Sequence, residues 1–385
     1  MNKFKPLITH LIVALGGASL MFLALTFTGQ LREPTKLEEL QAIIEERYIG
    51  DLDVKTMEDT AAAAMVLAIG DRWSGYIPEE EYQNYVDRVS NSYVGVGMTV
   101  QALEDGSITV VRVEPNGPAA EAGVEAGDVI AAVNGLTVEG LTTSELSAMV
   151  KGKAHTAIDI TFLRNGQERT LTLERREIQT VVAEGRMLEG SVGLVTIHNF
   201  DSRCYDETIA ALEELLDQGA EKLIFDVRGN PGGYQKELVK ILDYLLPEGD
   251  LFRSEYYTGQ VNVDKSDARC LEMPMAVLFN GDSYSAAEFF AAALEEYDAA
   301  VTVGQPSTGK GYFQTVIRLS DDSAVRLSVG RYTTPNGVDL AAAGGLQPNI
   351  LVEVDEETYA AISAGTLPPE EDPQIQAALE ALAQE

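Results

Sequence analysis

From Gln179 onward the chain alternates short apolar runs with amphipathic ones, and this alternation limits its fold more than any other feature. Val192–Phe200 and Lys222–Val227 are apolar stretches of strand length, while Thr208–Leu216 and Leu238–Leu246 carry leucines and isoleucines at helical spacing. Strand alternating with helix implies a mostly parallel sheet flanked by helices, an α/β fold. Met273–Phe279 is a further apolar run, closed by the turn signal Asn280-Gly281. In Ala286–Tyr297, which follows, Phe289, Phe290, Ala293 and Leu294 fall at helical spacing. Ser285 therefore sits at a strand–turn–helix junction. An exposed nucleophile gains there from unpaired backbone N–H groups and from the positive end of the helix dipole. A helix N-cap, at Ser283 or Ser285, explains the same residues without chemistry.

A serine nucleophile needs a base, and the chain offers three histidines. His10 lies inside an apolar N-terminal run, and His155 follows the surface turn Lys151-Gly152-Lys153. His198, before Asn199-Phe200-Asp201, is expected to be a strand residue with a satisfied hydrogen bond rather than the centre of a triad with Asp201 or Asp226. Lysine serves as base in Ser-Lys pairs. Lys310 stands between Gly309 and Gly311, where the backbone can approach other elements closely. Gln314, four residues on, is placed to hold the amine by a hydrogen bond. No His/Cys cluster has metal-ligand spacing, so neither metal nor cofactor is expected.

Ser285 and Lys310 stand 25 positions apart, in S-Y-S-A-A-E and G-K-G-Y-F-Q. This combination resembles the C-terminal processing peptidases, or tail-specific proteases. Their pattern is a small-residue serine segment ending in Glu, then G-K-G-x-x-Q. The usual S-A-S-A-S-E is S-Y-S-A-A-E here, with Glu288 and Gln314 closing the two segments. Asp226-Val-Arg-Gly-Asn-Pro-Gly-Gly resembles the family's D-L-R-x-N-P-G-G. Gly345-Leu-Gln-Pro-Asn resembles its G-I-x-P-D, with Asn349 in place of Asp. The likeness runs from about Leu37 to Ile350. It implies a crotonase-like core, a Ser285/Lys310 dyad oriented by Gln314, and an oxyanion hole at the amide of Gly232 or Gly233 plus that of Ala286.

Asn91–Ile178 resembles a PDZ domain. Gly95-Val96-Gly97-Met98 is similar to the loop that holds a peptide's terminal carboxylate on backbone N–H groups. Asn134-Gly135 and Asn165-Gly166 mark turns, and Thr142 with Glu145 forms a capping box for a helix ending near Val150. Leu146 and Met149 on that helix, with Val94, Val96 and Met98, would line the peptide groove. Residues 33–90 read as helical, broken at Gly70–Tyr76, with Trp73 as a packing residue.

Lys3 and Lys5 precede Leu7–Phe27, which carries no formal charge apart from His10. At ~1.5 Å per residue that run spans roughly 30 Å, one bilayer core. Its exit has no small-x-small cleavage site, which favours an uncleaved signal anchor over a cleaved peptide. The basic start stays cytoplasmic, and the rest faces outside. A net charge of −33 argues against nucleic-acid binding. Cys204 and Cys270 are the only cysteines, and sequence leaves their pairing open. The expected organisation is an anchor at 1–32, a helical segment at 33–90, a PDZ domain at 91–178, a serine peptidase domain at 179–353, and an acidic tail at 354–385, read as a surface helix or frayed end. The expected function is a membrane-anchored serine endopeptidase. It would trim extracytoplasmic proteins whose free apolar C-termini the PDZ domain captures. The alternative is a silent PDZ adaptor, and a homo-oligomer is left open.

Overall fold

The structure is a computed structural model that describes Ser19, residues 33–103 and residues 105–384. The anchor expected over 1–32 lies outside the described residues. Among the described residues no helix is long and apolar enough to cross a membrane. The chain forms two compact units, residues 1–62 and 63–385, so the helical segment expected over 33–90 is shared between them.

In the first unit, helix Lys36–Arg47 starts at a capping box in which Thr35 and Glu38 satisfy each other's backbone. It buries none of its residues.

The second unit is built on a six-stranded sheet in the order Ala183–Leu188, Val192–Ile197, Lys222–Asp226, Met275–Phe279, Ala300–Gly304 and Ile350–Leu351. The first strand is antiparallel and the others run parallel. Strand residues alternate between two apolar clusters, as a sheet covered on both faces requires. Val195, Phe225, Val277 and Phe279 pack with helices Cys204–Asp217, Gln235–Leu245 and Ala286–Glu296. Leu194, Ile224, Ala276 and Leu278 pack with Ile375, Ala378 and Leu382 of helix Pro373–Leu382. The end of the chain is thus not a frayed surface segment. The second sheet face is apolar and this helix covers it.

A second, antiparallel sheet holds Gly75–Ile77, Ala324–Thr333, Gly249–Tyr256 and Val261–Ser266, with Tyr312–Arg318 paired to Ala324–Thr333. Residues 92–179 form a separate β-rich body with its own core of Ile108, Val110, Ile130, Leu146, Ile160 and Phe162. Its helix Thr143–Val150 begins at the capping box of Thr142 and Glu145. Cys204 and Cys270 are free, and burial pushes the Cys204 thiol up to about 12.

Candidate active site

Strand Met275–Phe279 is buried throughout and delivers the chain into a tightly pinned turn. Ser283 Oγ donates to Val227 O (2.7 Å) and accepts from Asn280 N (3.0 Å). Asn280 Oδ1 accepts from Gly229 N at 2.9 Å, which fastens this turn to the loop after Lys222–Asp226. Ser283 is therefore the staple of the turn. Ser285 follows as the N-cap of Ala286–Glu296 with φ 59° and ψ −126°, a conformation that costs about 1–3 kcal/mol. Its Oγ stands 2.9 Å from the hydroxyl of Tyr332, and either can donate.

The neighbouring loop folds by the same logic. Asn230 is fully buried, with Nδ2 donating to Ile197 O at 2.7 Å and Oδ1 accepting from Gly232 N at 2.8 Å. A Cβ on Gly232 would lie 2.7 Å from Ser285 Cβ, and one on Gly233 would lie 2.2 Å from the Phe200 carbonyl carbon. Only glycines fit at these two approaches. The Gly232 amide is thus committed to Asn230 and is not free for an oxyanion. Among the described residues the Gly233 and Ala286 amides donate to no acceptor, so these two remain for the role.

Glu288 is completely buried and joins the two motif segments. It accepts from Ser285 N (2.9 Å), Lys310 N (2.9 Å), Gly309 N (2.6 Å) and the Ser307 hydroxyl. This carboxylate bridges the serine loop and the Gly309–Gly311 loop, which Thr308 also ties by donating to Ser283 O (3.2 Å) and Gly281 O (2.6 Å).

The Lys310 ammonium lies 4.7 Å from the Trp73 ring centroid and 5.5 Å from that of Tyr284. Burial, then the nearby Arg326 charge, lowers its pKa from 10.5 to about 8, against the opposing pull of Glu288 and Asp71. Among the described residues no hydrogen bond joins Lys310 to Ser285. Gln314 does not hold the amine either: its Nε2 donates to Tyr312 O (3.1 Å) and Ser328 Oγ (3.0 Å). Ser285, Lys310, Gln314 and Gly233 nonetheless line one cleft of about 700 Å³.

His198 also borders this cleft, but it is 45% exposed and pairs with Glu184 at 3.2 Å. Asp201, whose carboxyl burial pushes up to about 7, has no hydrogen bond to His198. No triad forms. Among the described residues no group of His, Cys, Asp or Glu could hold a metal ion.

In the β-rich body, Gly95, Val96, Gly97, Met98 and Leu146 line a second, narrow groove of about 70 Å³, together with Tyr93. Met149 does not line it and packs toward the core. Gly97 has φ 75°, and among the described residues the Val96 and Gly97 amides donate to no acceptor.

Sequence reading missed Tyr332, Trp73 and the committed Gly232 amide. The one signal for Trp73 was its turn setting, since Asp71 accepts from Trp73 N (3.0 Å) and from the Ser74 hydroxyl (2.6 Å).

Residues 191–352 match the model of peptidase family S41, and residues 92–174 match that of the PDZ domain. The chain is 29% identical over 83% of its length to the carboxy-terminal processing protease CtpA of Bacillus subtilis, covering 69% of that protein. It is 30% identical over 87% of its length to a carboxy-terminal-processing protease of Bartonella bacilliformis, covering 80% of that protein. It spans 64% of the length of a probable CtpA-like serine protease of Staphylococcus aureus, to which it is 28% identical over 83% of its own length. A crystal structure from Bacteroides fragilis, described as an S41 protease, shares the fold at TM-score 0.56 and 16% identity, covering 91% of this chain and 98% of that one. The chain therefore belongs to peptidase family S41, among the carboxy-terminal processing serine peptidases, and carries a PDZ domain.

Proposed function

We propose that this protein is a serine endopeptidase that shortens the C-terminal regions of extracytoplasmic proteins, with Ser285 as nucleophile and Lys310 as base. The observation that carries this reading is the cleft itself. It brings together the strained Ser285, the unpaired amides of Gly233 and Ala286, and a buried lysine whose pKa has fallen to about 8. A lysine that loses its proton near neutral pH can act as a general base. For that step its amine leaves the rings of Trp73 and Tyr284 and reaches Ser285 Oγ. Gln314, now bonded to Tyr312 O and Ser328 Oγ, orients the amine only after giving up those bonds. The developing oxyanion is received by the Gly233 and Ala286 amides, without Gly232. The core is of the crotonase-like kind, and no cofactor enters the chemistry. The PDZ groove at Gly95–Met98 and Leu146 takes the free apolar terminus of the substrate. Residues 1–32 anchor the protein in the cell membrane with the catalytic part outside, and a homo-oligomer is compatible with this arrangement.

The test is truncation of a protein bearing an apolar unstructured tail, followed by mass spectrometry. The unaltered protein shortens the tail, whereas Ser285→Ala and Lys310→Ala leave it intact and His198→Ala still cuts. Binding without truncation by the unaltered protein would make it a PDZ adaptor. N-terminal sequencing of the protein from salt-washed membranes tests the anchor, and a start between Thr26 and Arg32 would show a cleaved signal peptide instead.

A further inference from the structure

We propose that Tyr332 is a catalytic residue of this peptidase, its phenol donating a hydrogen bond to Ser285 Oγ while that oxygen carries negative charge. The inference rests on reading Ser285 as the nucleophile. Tyr332 lies on strand Ala324–Thr333, 4% exposed, with its hydroxyl 2.9 Å from Ser285 Oγ. Among the described residues this oxygen is the hydroxyl's sole hydrogen-bond partner. The same residue reaches the lysine loop, since Tyr332 N donates to Gly311 O at 3.1 Å. One side chain and its own amide thus touch both halves of the site.

The ring cannot take the hydroxyl elsewhere. Its centroid lies 4.4 Å from Phe289, 5.1 Å from Phe252 and 6.0 Å from Phe313, so three rings hold it in place. A phenylalanine would fill that place with no polar atom to satisfy. A buried phenol that must find a partner is the costlier choice unless the hydroxyl serves a purpose. Burial also holds the phenol's pKa well above its ordinary value, so it keeps its proton wherever the enzyme works. It is a donor and not a base.

In acylation the Oγ–H bond breaks, the proton passes to the Lys310 amine, Oγ bonds to the scissile carbon, and the C–N bond breaks as that proton moves on to the leaving amine. In deacylation water gives a proton to the Lys310 amine and bonds to the acyl carbon, the C–Oγ bond breaks, and Oγ takes that proton from the lysine. Charge rises on Oγ in both steps, and a preorganised donor lowers both barriers. Tyr332 itself ends with the proton it began with. The oxyanion amides serve the carbonyl oxygen, so the two sets of donors act on different atoms.

Tyr332→Phe keeps the ring stack and removes only the hydroxyl. We expect kcat to fall about a hundredfold with KM little changed, a loss of the size caused by removing one preorganised donor. The labelling rate of Ser285 by a fluorophosphonate should fall by the same factor, and the melting curve should stay in place. Labelling and turnover within a few-fold of the unaltered protein would overturn the proposal. Should Ser285→Ala still cleave, the nucleophile assignment fails first, and the absence of labelling in the unaltered protein would show that separately. If Tyr332→Phe melts earlier, a crystal structure of the unaltered protein with a boronic acid bound at Ser285 decides. The phenol is expected within about 3.2 Å of Oγ, a hydrogen-bond distance. A phenol turned to another partner would overturn the role.

Discussion

The amine of Lys310 is a base only after losing its proton, and its neighbours set the pH at which that happens. Burial and then Arg326 bring its pKa down to about 8. We therefore expect kcat/KM to climb with pH through about 8 and to level above it. Lys310→Arg should be inactive at every pH, because arginine stays charged. Stability should follow the same titration. The folded pKa lies below the unfolded value of 10.5, so the unfolded chain binds more protons between about 8 and 10.5. The contribution of this lysine to stability is thus unfavourable below pH 8 and improves as pH rises through that window. Lys310→Met, which removes a poorly hydrated charge, should abolish turnover while raising the melting temperature at pH 7. A lower melting temperature would show that contact with the rings of Trp73 and Tyr284 outweighs the lost hydration. Glu288→Gln tests the link between the loops. Glutamine has the right size, but its amide nitrogen must face two of the four donors that Glu288 now accepts. Each orphaned donor costs about 1–3 kcal/mol, so melting temperature and turnover should both drop. The negative charge that raises the lysine's pKa also disappears, so whatever activity remains should have its pH limb shifted to lower pH.

Among the elements, helix Pro373–Leu382 does more than cover the sheet. Asp372, its N-cap, pairs at 2.8 Å with Arg228, which also pairs with Asp226 and donates to Gln374 at 3.0 Å. The Arg228 side chain is 5% exposed, so the glycine-rich loop bearing Gly233 is tied to the end of the chain by a buried ion network. Arg228→Met would leave two buried carboxylates facing each other, at a cost of about 3–5 kcal/mol. We expect a lower denaturant midpoint together with a fall in kcat. Ending the chain before Pro368 should expose Leu194, Ile224 and Leu278 and give a protein that binds hydrophobic dyes. An unchanged midpoint in Arg228→Met would show that the network carries no weight. How far such elements could be read from sequence depends on how local their signal is. Parallel strands with continuous apolar runs, the capping box at Thr142 and the turn at Asn280-Gly281 were legible, because propensity and burial agree there. Helix Pro373–Leu382 was not: its stripe of Ile375, Ala378 and Leu382 is narrow and set among Gln and Glu. Strands Gly249–Tyr256 and Val261–Ser266 carry charge along their length and owe their state to pairing with each other. At the site, the motif segments singled out Ser285 and Lys310 as candidates, and the two residues line one cleft. The contact of Ser285 with Tyr332 spans 47 positions and leaves no local trace.

At the scale of the whole molecule, the peptidase core and the PDZ domain lie in one compact unit yet keep separate hydrophobic cores. Each can therefore hold its own groove, and the chemistry of the smaller one can be asked directly. A net charge of −33 disfavours anionic partners in general. A C-terminal carboxylate must overcome that field, which it can do only where N–H groups converge on it. The loop Gly95–Met98 supplies such a place. Its carbonyls are turned away, Val96 O accepting from Ala119 N (2.9 Å) and Gly97 O from Glu114 N (3.0 Å), and the amides of Val96 and Gly97 are left over. Gly97 holds the turn at φ 75°, where a Cβ would come 3.1 Å from Gly117 Cα. We expect the full-length Ser285→Ala protein, which cannot consume its ligand, to bind a peptide with a free apolar C-terminus. The amidated peptide should bind at least tenfold more weakly, since charge-assisted hydrogen bonds are worth about 1.5–3 kcal/mol. Gly97→Ala should weaken the acid form toward the amide form while leaving the amide form unmoved, because the strained turn would no longer aim its amides. Affinities measured by fluorescence anisotropy at fixed ionic strength separate the cases. If acid and amide bound equally well, this loop would not be the reader of the substrate's end. Recognition would then lie in the catalytic cleft, where Tyr256, Phe313 and Val316 offer an apolar wall.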